Sequence, residues 1–280
     1  MTRWAVLCWI MLLQFACATA LAAPAPSRFE MQSAASGLKY DVEVVLPQKV
    51  DPGVKYPVMY WMDWYILGDY LKSLPRLMNM GSLTEPYIMV GISQGSTDDA
   101  WAVMRTRDFT PGHAVDEYSK SFMYPKALEL TGGAAKFEAF LVDELIPRIE
   151  SEWPADSSRR CLAGYSLGAL LGAHVLATRP EAFQCYLLGS SSLWFNEFYL
   201  DTDLKSLSAA RLQSVRRVYL SVGENESWEM LKGFAMLRDA LKGRGLGDSR
   251  LKAEVIGSAG HVGAMPTALY NGIRFVFAKH

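Results

Sequence analysis

From residue 56 onward, short apolar runs of strand length alternate with stretches that carry a helical stripe, and this alternation constrains the fold more than any other feature. Residues 56–62 (YPVMYWM) and 87–93 (YIMVGIS) are almost continuously apolar, the mark of strands covered on both faces. Residues 160–165, 183–189, 217–222 and 251–256 are further strand candidates. Helical patterns separate them: 66–80, interrupted by Pro75; 133–153, with Phe137, Phe140, Leu141, Leu145 and Ile149 in one stripe; 167–178; 226–241; and 267–278. Strands alternating with helices over such a length imply an α/β architecture, a mainly parallel central sheet with helices on both faces. Residues 39–46 (KYDVEVVL) alternate polar and apolar up to Pro47, as an outer antiparallel strand would. Residues 95–131 show little periodicity and many polar and aromatic side chains, and read as long active-site loops. No internal repeat and no second domain is visible.

Half of the residues are hydrophobic and the formal net charge is −1. With no Lys/Arg-rich run, this argues against nucleic acid as the main partner. Residues 1–22 form a candidate signal peptide. Arg3 supplies a positive start, residues 4–20 carry no charge, and Gln14 and Thr19 are their only clearly polar members. Ala20-Leu21-Ala22 then offers small residues where a signal peptidase reads, followed by Pro24 and Pro26. An uncleaved membrane anchor is the alternative, since the apolar run is nearly long enough to span a bilayer. A lipoprotein is disfavoured, because Gln14-Phe15-Ala16 before Cys17 fits a lipobox poorly. Cleavage near Ala22 predicts an exported protein, periplasmic or secreted, in which residues 23–280 form one domain with no stable membrane insertion. About 255 residues then remain, ample for a buried core. Outside the leader lie Cys161 and Cys185, near the starts of neighbouring strands, placed either to bridge in an oxidising compartment or to stay as two buried thiols.

The segment 160–172 (RCLAGYSLGALLG) carries the chemistry. Gly164-x-Ser166-x-Gly168 lies between a short apolar strand and a small-residue helix, which is the context of the nucleophile elbow of α/β hydrolases. The chain turns sharply there, the flanking glycines keep side chains away, and Ser166 is held at the carboxyl edge of the sheet above a helix N-terminus. A serine hydroxyl needs a base within reach. Of the four histidines, His174 sits on the helix after Ser166, His280 is terminal and His113 lies in the long loop region. His261 follows the last strand in a small-residue loop, and the chain order of nucleophile, acid and histidine selects it. The acid should follow the strand 217–222, where Glu224 and Glu226 compete; Glu226 is the first choice and Glu224 the reserve, one of them being free to cap the next helix.

The tetrahedral intermediate needs two oxyanion donors. One is expected from the Leu167 amide, the other from the amide of Tyr65 or, failing that, Trp64. Trp64, Trp194 and Phe195 are candidate walls of a substrate pocket, and Arg107 with Asp108 either contacts substrate or forms a loop ion pair. The run Gly243-Arg244-Gly245-Leu246-Gly247 follows a helix and reads as a helix stop rather than a phosphate loop. No His/Cys/Asp cluster has metal-ligand spacing, and neither metal nor cofactor is implied.

Several segments together carry a family resemblance. They are 56–63 (YPVMYWMD), 89–92 (MVGI), 105–111 (RTRDFTP), 132–148 (GGAAKFEAFLVDELIPR), 159–168 (RRCLAGYSLG), 190–194 (SSSLW) and 222–226 (VGENE). Through these the chain resembles the esterase family of α/β hydrolases that includes esterase D, the enterochelin (ferric siderophore) esterases and the mycolyltransferases. Residues 105–111 and 132–137 look most like the siderophore-esterase branch. The resemblance implies a Ser166–Glu226–His261 triad, an acyl-enzyme route and a small-molecule ester substrate, such as a siderophore trilactone, a short acyl ester or an aryl ester. Some relatives in that branch work with a Ser/His dyad. Two positions depart from the family pattern: Trp64 stands where glycine is usual, and Tyr165 replaces a frequent histidine beside the nucleophile. An acyltransferase would share every one of these residues, and a catalytically silent binding protein on the same fold is the rival from another class. The sequence leaves the oligomeric state open.

Overall fold

The apolar runs assemble into one eight-stranded sheet in a computed structural model that describes residues 27–278. The candidate signal peptide and His280 lie outside the described residues. In chain order the strands are β1 (Ser27–Gln32), β2 (Lys39–Val45), β3 (Tyr56–Trp61), β4 (Ile88–Ser93), β5 (Ala155–Tyr165), β6 (Cys185–Gly189), β7 (Arg217–Gly223) and β8 (Leu251–Ile256). Their order across the sheet is β1-β2-β4-β3-β5-β6-β7-β8. The first two pairings, β1 with β2 and β2 with β4, are antiparallel, and the rest are parallel. The outer antiparallel strand expected at 39–46 is therefore β2, with β1 added outside it.

Alternation along each parallel strand divides the core in two. Val58, Tyr60, Leu162, Tyr186, Leu188, Val218 and Leu220 point into one layer, while Met59, Trp61, Cys161, Ala163, Tyr165, Leu187 and Tyr219 point into the other. The first layer packs on α4 (Ala134–Ala139), α5 (Ile146–Glu152), α6 (Leu167–Thr178) and α9 (Trp228–Lys242). The second packs on α1 (Trp64–Met80) and α10 (His261–Val276). Residues 167–177 of α6 are all buried, which is why this helix is apolar on every side. Gly172 lets α6 approach the sheet, since a Cβ there would stand 2.4 Å from Leu188 Cδ2.

Several boundaries differ from the sequence reading. Residues 95–131 are not simply loops, for they contain α2 (Asp98–Asp108), α3 (Glu117–Phe122) and a 3-10 turn (Pro125–Leu130). These helices are set by caps rather than by an apolar stripe: Thr97 accepts from the Ala100 amide and Asp116 from the Ser119 amide. The stripe at 133–153 is helical but passes through a π-helical stretch, Phe140–Leu145, just ahead of Pro147, which has no amide proton to donate. Two short helices, α7 (Phe195–Phe198) and α8 (Asp201–Ser206), follow β6. The last helix begins at His261 rather than near Thr267, because Pro266 sits inside it instead of marking its start. Cys161 and Cys185 are register partners on β5 and β6 and form a disulfide. Among the described residues no helix is long and apolar enough to cross a membrane, and no group of three or more His, Cys, Asp or Glu could hold a metal ion.

Candidate active site

The loops that follow β3, β5, β6, β7 and β8 all leave the carboxyl edge of the sheet, which is where α/β folds gather functional groups. Ser166 ends β5 and precedes α6 with φ 58 and ψ −119, a conformation outside the regions that L-residues favour. The glycines on either side make this turn possible. A Cβ on Gly164 would lie 2.3 Å from the Gly168 carbonyl carbon, and one on Gly168 would lie 3.0 Å from Asp63 Oδ2. The strained serine is thus over-determined by a backbone crossing that excludes any side chain.

Ser166, Leu167, Glu226 and His261 all line one cavity of about 470 Å³. Glu226 follows β7, and its carboxylate is 2.6 Å from His261 Nδ1 through Oε2. Its other oxygen, Oε1, accepts from the Gly223 amide at 2.7 Å and from Ser190 Oγ at 2.6 Å. The Glu226 side chain is only 1% exposed. Burial works to raise its pKa, but hydrogen bonds from His261, Ser190 and Gly223 outweigh burial and hold it below the ordinary glutamate value. Glu226 is therefore a buried carboxylate beside an imidazole that is 39% exposed. Glu224 points elsewhere: it is exposed and accepts from the Ser258 amide at 2.7 Å, bracing the turn before His261.

The Ser166 hydroxyl has a neighbour that sequence reasoning did not single out. Ser192 Oγ is 3.3 Å from Ser166 Oγ, and its side chain shares the cavity. Leu167 is the first residue of α6, so its amide has no partner within the helix. Trp64 and Tyr65 are likewise the first two residues of α1, immediately after Asp63, whose carboxylate approaches Gly168 as above. Asp63 itself is left-handed at φ 57, and its carboxylate accepts from Trp101 Nε1 at 2.8 Å and Arg105 Nε at 3.0 Å.

The side chains proposed as pocket walls divide. Trp194 lines the cavity together with Tyr118 and Phe122 of α3, and the three rings pack with centroids 4.9–5.3 Å apart. The Trp64 side chain does not line it. Its ring lies over Gly91, where a Cβ would be 1.8 Å from it, and its indole donates to Glu43 Oε2 at 2.7 Å. Room above a glycine and a buried carboxylate acceptor draw the indole into the second core layer and away from the serine. The Tyr65 side chain is also elsewhere, its hydroxyl donating to Asp98. Phe195 is core. Arg107 forms the ion pair with Asp108, donating from Nε at 2.6 Å and Nη2 at 2.7 Å, and takes no place on the cavity. Arg105, two positions earlier on α2, does line it. The helical repeat of α2, which a loop over 95–131 would not have, is what separates the two arginines. His113 is exposed and outside the cavity, and His174 is buried on α6.

A strained serine, a carboxylate-bound imidazole and the free N-terminal amide of α6 at Leu167 around one cavity form the equipment of acyl transfer. Comparison with known proteins agrees. Residues 33–237 match the model of the family described as "Putative esterase". The chain is 29% identical over 258 residues to the ferri-bacillibactin esterase BesA of Bacillus subtilis, covering 88% of this chain and 87% of that protein. It is 31% identical over 148 residues to a siderophore enterobactin esterase of Emericella nidulans, covering 50% of this chain and 48% of that one. Among solved structures, the BES protein from Bacillus cereus superposes with a TM-score of 0.75 at 26% identity, covering 91% of this chain and 96% of its own. The chain belongs to this esterase family and is a serine ester hydrolase of the α/β-hydrolase fold.

Proposed function

We propose that this protein hydrolyses carboxylic esters of siderophore type through an acyl-enzyme, with Ser166 as nucleophile, His261 as general base and Glu226 as the acid that orients it. The observation that carries this reading is the 2.6 Å contact between Glu226 and His261 Nδ1 on the cavity that also holds Ser166. With Nδ1–H held by the carboxylate, Nε2 is the ring nitrogen left to take the serine proton. Ser166 Oγ then adds to the ester carbonyl, and the oxyanion is met by the Leu167 amide and by an amide at the N-terminus of α1, from Tyr65 or Trp64. Collapse expels the alcohol, protonated by His261, and water activated by the same imidazole opens the acyl-enzyme.

The substrate class rests on the relatives, which are named as esterases of ferri-bacillibactin and enterobactin. The aromatic wall of Tyr118, Phe122 and Trp194, with Arg105 beside it, suits an aromatic acyl group bearing polar or anionic substituents. Export of residues 23–280 after cleavage near Ala22 belongs to the same proposal. It is supported by the leader-like composition of residues 1–22 and by a cysteine pairing of the kind that persists outside the cytosol.

Intact-protein mass after treatment with a fluorophosphonate tests the mechanism. One adduct on the wild type is expected, absent from Ser166→Ala and formed far more slowly on His261→Ala. A well-folded wild type that takes no adduct would overturn the reading. Release of hydroxy-acid product from a metal-free or ferric trilactone, compared with a simple aryl ester, tests the substrate class. N-terminal sequencing of exported material tests the leader.

A further inference from the structure

Two buried hydroxyls stand behind the acid–base pair without lining the cavity. Tyr165 is the last residue of β5, directly before the nucleophile, and is 2% exposed; Ser190 follows β6 and is 0% exposed. The Tyr165 phenol donates to the His261 backbone carbonyl at 2.6 Å, and its oxygen is 2.7 Å from Ser190 Oγ. Ser190 Oγ is in turn 2.6 Å from Glu226 Oε1. From this chain of contacts we propose that Tyr165 and Ser190 are positioning residues that lock His261 and Glu226 against the nucleophile strand, an inference that rests on the catalytic reading above.

The covalent path makes the lock specific. Tyr165 and Ser166 share a peptide bond, so the phenol ties the backbone of the base to the backbone of the nucleophile. Ser190 holds the carboxylate of the acid from the end of β6, where the neighbouring Gly189 carbonyl accepts from the Ser166 amide at 3.0 Å. The Ser190 amide donates to Ser221 on β7 at 2.8 Å, so its hydroxyl is fixed from the strand that delivers Glu226. Two hydroxyl protons serve three oxygen–oxygen contacts here. With the phenol proton on the His261 carbonyl, the Ser190 proton is shared between the phenol oxygen and the carboxylate, and the negative charge of Glu226 draws it. Movement of either hydroxyl is therefore felt at both members of the pair.

Local backbone features accommodate this arrangement. A Cβ on Gly189 would stand 2.5 Å from Tyr165 Cδ2, so only glycine admits the ring. Ser190 holds φ 42, a left-handed conformation unfavourable for a serine, at the position where its hydroxyl reaches Glu226. Burial raises the Tyr165 pKa, which keeps the phenol a neutral donor.

The test is steady-state kinetics on a chromogenic ester, with fluorophosphonate labelling rates, for Tyr165→Phe, Ser190→Ala and the double variant. Each single change should lower kcat by about 10- to 100-fold with KM within about threefold, the loss expected from a sub-ångström misplacement of a catalytic group. The double variant should lose less than the product of the singles, because both act through one network. In Ser190→Ala the acidic limb of kcat/KM should move to higher pH, since Glu226 loses a donor that keeps it ionised. Ser190→Gly, which suits φ 42, removes the same hydroxyl should the alanine variant fold poorly. Folded variants with wild-type kcat, a change in KM alone, or fully multiplicative losses would overturn the proposal. A wild type that is not labelled would overturn the hydrolase reading itself. A labelled wild type, slowed by His261→Ala but matched by both hydroxyl variants, would overturn only the positioning role.

Discussion

Glu226→Gln is the substitution that most directly weighs the buried carboxylate. The glutamine has nearly the same volume, so packing is preserved, but the charge is lost and an amide N–H₂ can face His261 Nδ1. That arrangement favours the tautomer with Nε2–H, which cannot accept the serine proton. In a serine triad the wrong tautomer lowers kcat by about 10⁴-fold, which is roughly 5 kcal/mol of barrier at about 1.36 kcal/mol per factor of ten. Glu226 is 1% exposed but His261 is 39% exposed, so solvent can restore part of the productive tautomer and the expected loss is smaller. A fall in kcat of about 100-fold or more follows, with KM changed little. Glu224→Gln keeps an oxygen that accepts from the Ser258 amide and loses only an exposed charge, so it should stay within about threefold. The assay is kcat and KM on a chromogenic ester, with thermal melts run in parallel. A folded Glu226→Gln within about fivefold of wild type, or a Glu224→Gln that falls as far as Glu226→Gln, would refute the reasoning.

Three other outcomes follow from the structure. Reduction, or the double change Cys161→Ser and Cys185→Ser, should cost about 3 kcal/mol for a bridge closing a loop with sequence separation 24, read as a lower melting temperature under dithiothreitol; an unchanged melt would contradict the bridge. Gly164→Ala must push its Cβ into the Gly168 carbonyl, so both melting temperature and kcat should fall, with a stability loss of about 1–3 kcal/mol; an unaffected elbow would contradict the close crossing. His174 is buried on α6 with its pKa pushed down by burial from the ordinary 6.5, so the unfolded chain binds a proton that the folded one resists. Stability should therefore fall as pH drops through and below about 6.5, and this component should disappear in His174→Phe when denaturation is compared between pH 5 and 7; equal slopes would refute it. Glu138, which burial raises and whose Oε2 stands 3.4 Å from His174 Nε2, contributes with the opposite sign, so the comparison of His and Phe at 174 is made in a Glu138→Gln background.

The parts of the molecule legible in the sequence are those whose signal is local. The apolar runs that became β3 to β8 and the apolar helix α6 are visible because strands and helices covered on all sides cannot carry polar residues. The elbow is visible because a strained strand-to-helix turn demands glycines at fixed spacing, and the measured approach of Gly164 to the Gly168 backbone is the physical content of that pattern. Chain order named both candidate carboxylates and placed His261 after the last strand. Helices α2 and α3 escaped notice because they bury few apolar residues and are held by the Thr97 and Asp116 caps, a weaker signal than a stripe. With them went the repeat that turns Arg105, rather than Arg107, toward the cavity. Other outcomes depend on atoms brought together from far along the chain. Glu226 instead of Glu224 meets His261 because a shared carboxylate position is built by Gly223 and Ser190. Cys161 meets Cys185 because parallel strands 24 residues apart fall into one register. Trp64 leaves the site because Gly91 and Glu43, on two other strands, offer its ring space and its N–H an acceptor. The sequence by itself determined the layers, the elbow and the chemical repertoire, since those follow from periodicity and local sterics. Only the tertiary structure decided which side chains share the cavity, because that depends on strand register and on the few glycines that let one element close upon another.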